Sequence, residues 1–128
     1  MDLIWKPSYT TGNKAVDFQH QCFVDLINRI SKSLLETEDE KYREKLLIEL
    51  IKYAEFHFTS EENLAFLDNK IEGLHVHHKR HMELLEELCC HTKDLMKDHY
   101  SAEEFIRFLI NWFVGHTVYE DCAFFLGE

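Results

Sequence analysis

Only one proline and four glycines interrupt this chain of 128 residues. So few breakers cannot supply the many turns of a strand-rich fold, and long helices are expected instead. The apolar residues agree, because they recur at the three- and four-residue steps of a helix with one buried face. Val16, His20, Phe23, Val24, Ile27, Ile30 and Leu34 mark a helix over about 16–36. Leu46, Leu47, Leu50, Ile51, Ala54 and His57 mark a second, ending near 67. Leu74, His77, His81, Leu84, Leu85, Leu88 and Leu95 mark a third over about 73–99. Phe105, Leu109, Trp112, His116 and Tyr119 or Glu120 mark a fourth that runs towards the C-terminus.

The links between these stretches are short. Thr37-Glu38-Asp39-Glu40 and Ser101-Ala102-Glu103-Glu104 both read as capping boxes that start a helix. Asp68-Asn69-Lys70 and Gly73 form the turn between the second and third helices. Short links force sequential helices antiparallel, so the expected fold is an all-α, up-down-up-down four-helix bundle. Residues 1–16 form an N-terminal arm, whose Trp5 and Tyr9 are expected to pack over the bundle of residues 17–126. The length suits one domain.

The net charge of −10 argues against nucleic acid or an anionic membrane surface as a partner, since both reward an excess of Lys and Arg. No run of about 18 apolar residues is present, so no membrane span is expected. The N-terminus lacks a basic start followed by an apolar stretch, and a cytoplasmic protein is expected. Cys22, Cys89, Cys90 and Cys122 make no CxxC pair and are read as free thiols.

The compositional oddity is histidine, with nine residues. Five of them stand on the inward stripes: His20 on the first helix, His57 on the second, His77 and His81 on the third, His116 on the fourth. Glu61 follows His57 by four residues and so shares its face one turn on. In an antiparallel bundle all these positions fall at the same end. One inward histidine is ordinary as a hydrogen-bonded core residue. Five of them with carboxylates in an apolar interior are costly without a cation. That many donors exceeds the four of a structural zinc site and suits two metal ions with bridging carboxylates. Imidazole with carboxylate favours iron over manganese, copper or zinc. The acidic partner on the fourth helix stays open on spacing alone. Glu120 lies four residues after His116, whereas Asp121 lies about 140° round a straight helix from it. Asp121 reaches the site only if the helix tightens, bulges or ends there. His75, His78, His91 and His99 are off the stripes or far from the site, and read as surface histidines.

Taken together, these residues resemble the hemerythrin family, and most closely its short bacterial members. The resemblance covers essentially the whole chain. It is carried by Trp5, Tyr9, Gly12, Asp17-Phe18-Gln19-His20, His57-Phe58-Thr59-Ser60-Glu61, His77-His78-Lys79-Arg80-His81 and Asn111-Trp112-Phe113-Val114-Gly115-His116 through Asp121. It implies a non-haem centre of two iron ions with an oxo or hydroxo bridge. His77, His81 and His116 would hold one iron. His20 and His57 would hold the other, which keeps an open position for dioxygen. Glu61 and Asp121 would bridge the pair, so the resemblance selects Asp121 over Glu120. The implied function is reversible dioxygen binding for storage, transport or sensing, in a monomer or weak oligomer without enzymatic activity. The alternatives are a di-iron enzyme acting on peroxide or nitric oxide, and a sensory domain of a larger protein. The chain departs from the family pattern at Phe113, Gly115 and Thr117, next to the site. Phe23, Val24, Trp112 and Phe113 are candidates to line the pocket, and core packing explains them equally well.

On this reading His77→Ala is expected to remove bound iron and His75→Ala to leave it in place. An iron count per chain on the two purified variants checks this.

Overall fold

The computed structural model describes residues 2–127, and among them it shows helices and no strands. The helices are α1 (Lys14–Glu36), α2 (Glu40–Leu67), α3 (Leu74–Met96), α4 (Ala102–Val114) and α5 (Cys122–Leu126). A π-helical segment, Gly115–Asp121, joins α4 to α5, so these three make one continuous fourth rod. The rods pack in a ring: α1 against α2 and α4, and α3 against α2 and α4. This is the antiparallel four-helix bundle that the short links dictate.

Local chemistry explains most of the boundaries. Asn13 caps α1 by accepting from the Val16 N–H at 3.1 Å, so the helix begins a little before the apolar stripe does. At the next junction the cap is Asp39, not Thr37. Asp39 Oδ1 accepts from the N–H groups of Lys41 at 3.0 Å and Tyr42 at 3.4 Å. Thr37 instead ends α1, donating its own N–H to Ser33 O at 3.1 Å. Arg43 reaches back over this corner and donates to Thr37 O and Leu34 O at 3.0 and 2.9 Å. These bonds satisfy carbonyls that the end of a helix leaves without partners. The second capping box is present as expected, with Ser101 Oγ accepting from the Glu104 N–H and Glu104 Oε1 accepting from the Ser101 N–H.

Gly73 has φ 80, a left-handed geometry that glycine adopts without steric cost, and α3 starts directly after it. The third helix stops at Met96 and not at His99, because Asp98 takes φ 60 and turns the chain. His99 therefore lies beyond the helix and is exposed.

The arm is tied down. The Asn28 side chain pairs with both backbone groups of Leu3, at 2.8 Å each. Trp5 and Tyr9 meet edge to face, with Tyr9 and Leu3 buried. Asp17 Oδ1 holds the Thr11 N–H and hydroxyl at 2.8 and 2.7 Å. Phe23, Ile27, Leu50, Leu84, Leu88, Phe105 and Leu109 fill the middle of the bundle. A second, smaller apolar group of Val16, Ala65 and Phe125 closes the other side of the histidine level. Tyr119, one candidate for the inner stripe, is 73% exposed and points away. His75 and His78 are exposed, whereas His91 is half-buried and stacks on Phe108 with ring centroids 3.6 Å apart. No helix is long and apolar enough to cross a membrane among the described residues.

The cap assignment is testable. Asp39→Ala is expected to cost about 1 kcal/mol of stability, as an N-cap loss does, and Thr37→Ala clearly less. Urea unfolding followed by circular dichroism measures both.

Candidate metal centre

Each rod delivers its polar side chains to one level for a separate reason. His20 sits on the apolar face of α1, His57 and Glu61 on successive turns of α2, and His77 and His81 on successive turns of α3. The fourth rod is the unusual one. His116 and Asp121 are five residues apart, which a regular α-helix turns to different faces. The π winding of Gly115–Asp121 bonds i to i+5 and brings these two residues onto one face. Asp121 is then 0% exposed, while Glu120 turns aside to the edge of the cluster. Gly115 starts the π segment with φ −57, and a Cβ there would meet nothing within 4 Å. The glycine is therefore not required sterically.

The structure brings all seven candidate residues together. Their ligand atoms form two groups, each with its members within 4.8 Å of one another. One holds His77, His81 and His116, the other His20 and His57, and Glu61 and Asp121 belong to both. Glu61 Oε1 lies 2.7 Å from His77 Nε2 and 3.3 Å from His81 Nε2. Its Oε2 lies 3.1 Å from His57 Nε2 and 3.3 Å from His20 Nε2. Asp121 Oδ1 lies 2.8 Å from His116 Nε2 and 3.0 Å from His77 Nε2, and Oδ2 lies 3.1 Å from His20 Nε2. Each carboxylate thus spans the two groups, one oxygen to each.

The angles of these contacts are informative. Asp121 Oδ1 and Oδ2 and His57 Nε2 are buried with no hydrogen bond, despite neighbours close to 3 Å. His81 Nε2 and His116 Nε2 face each other at 3.1 Å. Hydrogen bonds between these carboxylates and the imidazoles run only from His20 Nε2 and His77 Nε2, both to Glu61. Buried polar groups that are short of hydrogen bonds need another partner. Neutral nitrogens with anionic oxygens are what a cation of the iron type requires. The residues therefore fit a pair of metal ions.

Electrostatics follows the same geometry. Burial works against a charged imidazole, but Asp121 and Glu61 outweigh it and hold His20 up at about 9. The same balance holds His77 at about 9, and with Glu120 added it holds His116 at about 10. At His57 burial wins and the pKa falls below the ordinary value. Burial would raise Glu61, yet the close imidazoles of His20, His57, His77 and His81 hold it well below the usual carboxylate range. Burial and Glu61 would raise Asp121, and His116 and His20 pull it down to about 2. Without metal, the carboxylates favour the charged form of His20, His77 and His116, so a metal would bind there in exchange for protons.

Aromatic rings wall the cluster. Phe58 stacks on His81 with centroids 4.2 Å apart, and Phe124 on His77 at 4.3 Å. Phe113 stands edge-on to His20 at 6.1 Å and Phe23 edge-on to His57 at 5.7 Å. Trp112 donates its indole N–H to Leu84 O at 3.1 Å, which leaves its ring free to pack. Three polar residues back the histidines from outside: Gln19, Glu62 and Glu120. Stripe periodicity does not single out Gln19 or Glu62, since each stands beside a candidate ligand on the edge of its helix. The available signal was a polar residue flanking an inward one.

The family model of the hemerythrin HHE cation binding domain matches residues 11–125. A bacteriohemerythrin of Clostridium acetobutylicum is 28% identical over 125 residues, covering 93% of this chain and 95% of its own.

If the two carboxylates are shared, losing either is expected to weaken both of two bound divalent ions. Asp121→Asn and Glu61→Gln should lower both stepwise affinities, and His57→Ala only one. Chelator-competition titration of the metal-free variants separates the two patterns.

Proposed function

The chain belongs to the family of hemerythrin HHE cation-binding domains, and from that premise we propose that it binds dioxygen reversibly at a non-haem di-iron centre. His77, His81 and His116 hold one iron, His20 and His57 the other, and Glu61 and Asp121 bridge them. Held by these residues, an iron pair would supply the reversible exchange of electrons that dioxygen binding needs. The observation that carries the reading is the pair of buried groups with unequal histidine counts and two carboxylates in common. Three imidazoles and two carboxylates nearly complete the coordination of one ion. Two imidazoles and the same carboxylates leave the other with room for a small ligand.

The protein's own residues set the selectivity. Phe23 and Phe113 stand beside the two-histidine side, and both are almost completely buried. Apolar walls of this kind exclude water and admit a small neutral molecule. Imidazole is a neutral ligand, so the centre carries less negative charge than carboxylate-rich sites in related bundles. Gln19 fixes the ring of His57: its Oε1 lies 2.9 Å from His57 Nδ1. Gln19 is itself held, donating from Nε2 to Ser60 Oγ, while its main-chain carbonyl accepts from the Tyr53 hydroxyl, both at 2.7 Å. A locked ring directs Nε2 into the cluster.

The test is an iron count together with optical spectra of the reduced protein before and after dioxygen. Two irons per chain and a visible charge-transfer band that disappears on removing the gas are expected, over many cycles. One iron or none would defeat the proposal. Rapid turnover of peroxide or nitric oxide with bleaching would replace it by an enzymatic role.

A further inference from the structure

The cluster's five histidines differ in what stands behind them. His81 Nδ1 lies 2.6 Å from Glu62 Oε2. The other oxygen of Glu62 lies 2.7 Å from Nδ1 of the exposed His78. His116 Nδ1 lies 3.4 Å from Glu120 Oε2, an ion-pair distance without a hydrogen bond. Glu120 is also clamped by Arg80, whose Nε donates to both carboxylate oxygens at 3.0 and 2.9 Å. On the two-histidine side no carboxylate backs a ring. His57 Nδ1 faces the neutral amide oxygen of Gln19 at 2.9 Å, and His20 Nδ1 is buried with no hydrogen-bond partner. The outer charges are thus gathered behind one of the two groups.

We propose that Glu62 is a positioning residue that makes the three-histidine pocket the stronger of two unequal metal pockets. The inference rests on the ligand set proposed above. A carboxylate that accepts from the outer N–H of a ligating imidazole fixes its tautomer. It also pushes electron density towards the inner nitrogen, which then binds a cation more tightly. An amide oxygen fixes the tautomer but brings no charge. Glu62 makes the short contact, while the charge of Glu120 is shared with Arg80 and stands farther off. Glu62 therefore decides the difference. The three-histidine pocket fills first and holds its ion, and the two-histidine pocket keeps the weaker, more exchangeable ion. The fold builds this inequality in by placing Glu62 next to the shared Glu61 on α2, so that adjacent residues serve opposite sides of the His81 ring.

The probe is cobalt(II), titrated into the metal-free full chain against a competing chelator. Two well-separated binding steps are expected for the unsubstituted protein. Glu62→Gln keeps the shape and an acceptor oxygen but removes the charge. It is expected to weaken the first step by about 10- to 100-fold and leave the second unchanged, so the steps merge. Gln19→Glu adds a charge behind His57 and should strengthen the second step alone. A first step that Glu62→Gln leaves untouched, or two steps weakened alike, overturns the inference. If Glu62→Gln does not fold, Gln19→Glu decides by itself, and an unchanged second step is then the negative result. Fewer than two cobalt ions on the unsubstituted chain would instead overturn the ligand set, and this inference with it.

Discussion

Everything at the histidine level of this bundle depends on two carboxylates taken wholly out of water. Glu61 and Asp121 are both 0% exposed, and each reaches imidazoles from at least three helical rods. A buried carboxylate is among the most expensive groups a fold can hold, and it survives only among compensating charges. Protons on His20, His77 and His116 supply the compensation, and metal between nitrogen and oxygen would supply it in their place. Removing one partner would leave the rest uncompensated. The cluster is therefore a single cooperative unit rather than seven separate contacts.

The surrounding fold makes that unit tolerable. The main core lies on one side, from Phe23 and Leu50 to Leu84 and Leu109. On the other side stand Val16, Ala65 and Phe125. Each of these is four residues from a member of the cluster, His20, Glu61 and Asp121 in turn. A helix places such pairs one turn apart, so three rods each continue past the polar level with one apolar turn. The polar level is thus a thin slice between apolar slabs. Stacking of Phe58 and Phe124 on two of the imidazoles closes it laterally. Low polarity above and below strengthens the interactions within the slice and makes a missing partner more costly.

The chemistry follows from where charge is allowed. Towards the two-histidine group the neighbours are rings and a neutral amide. Towards the three-histidine group the neighbours include Glu62 and Glu120. On the function proposed above, one end would take a small ligand and the other would hold its ion firmly. Both ends share Glu61 and Asp121, so a change at either of these two carboxylates is expected at both.

Much of this was legible in the residue order. Rarity of breakers and the three-to-four spacing dictated four long helices, and short links dictated their alternation, because backbone geometry leaves little else. Histidines on every inner stripe implied one polar level, since antiparallel helices bring first-helix starts beside second-helix ends. Tertiary structure decided what spacing left ambiguous. The choice of Asp121 over Glu120 depended on the π segment Gly115–Asp121, whose winding spacing along a regular helix does not predict. Capping by Asp39 rather than Thr37 was a contest between two acceptors two residues apart, and Thr37 is taken up in ending α1. The roles of Gln19 and Glu62 were out of reach because each acts on a histidine from another helix, and no periodicity along one helix records a neighbour on the next. The sequence by itself determined which residues had to be hidden. The fold alone decided which atoms of those residues would meet, because that depends on distances between helices and not along them.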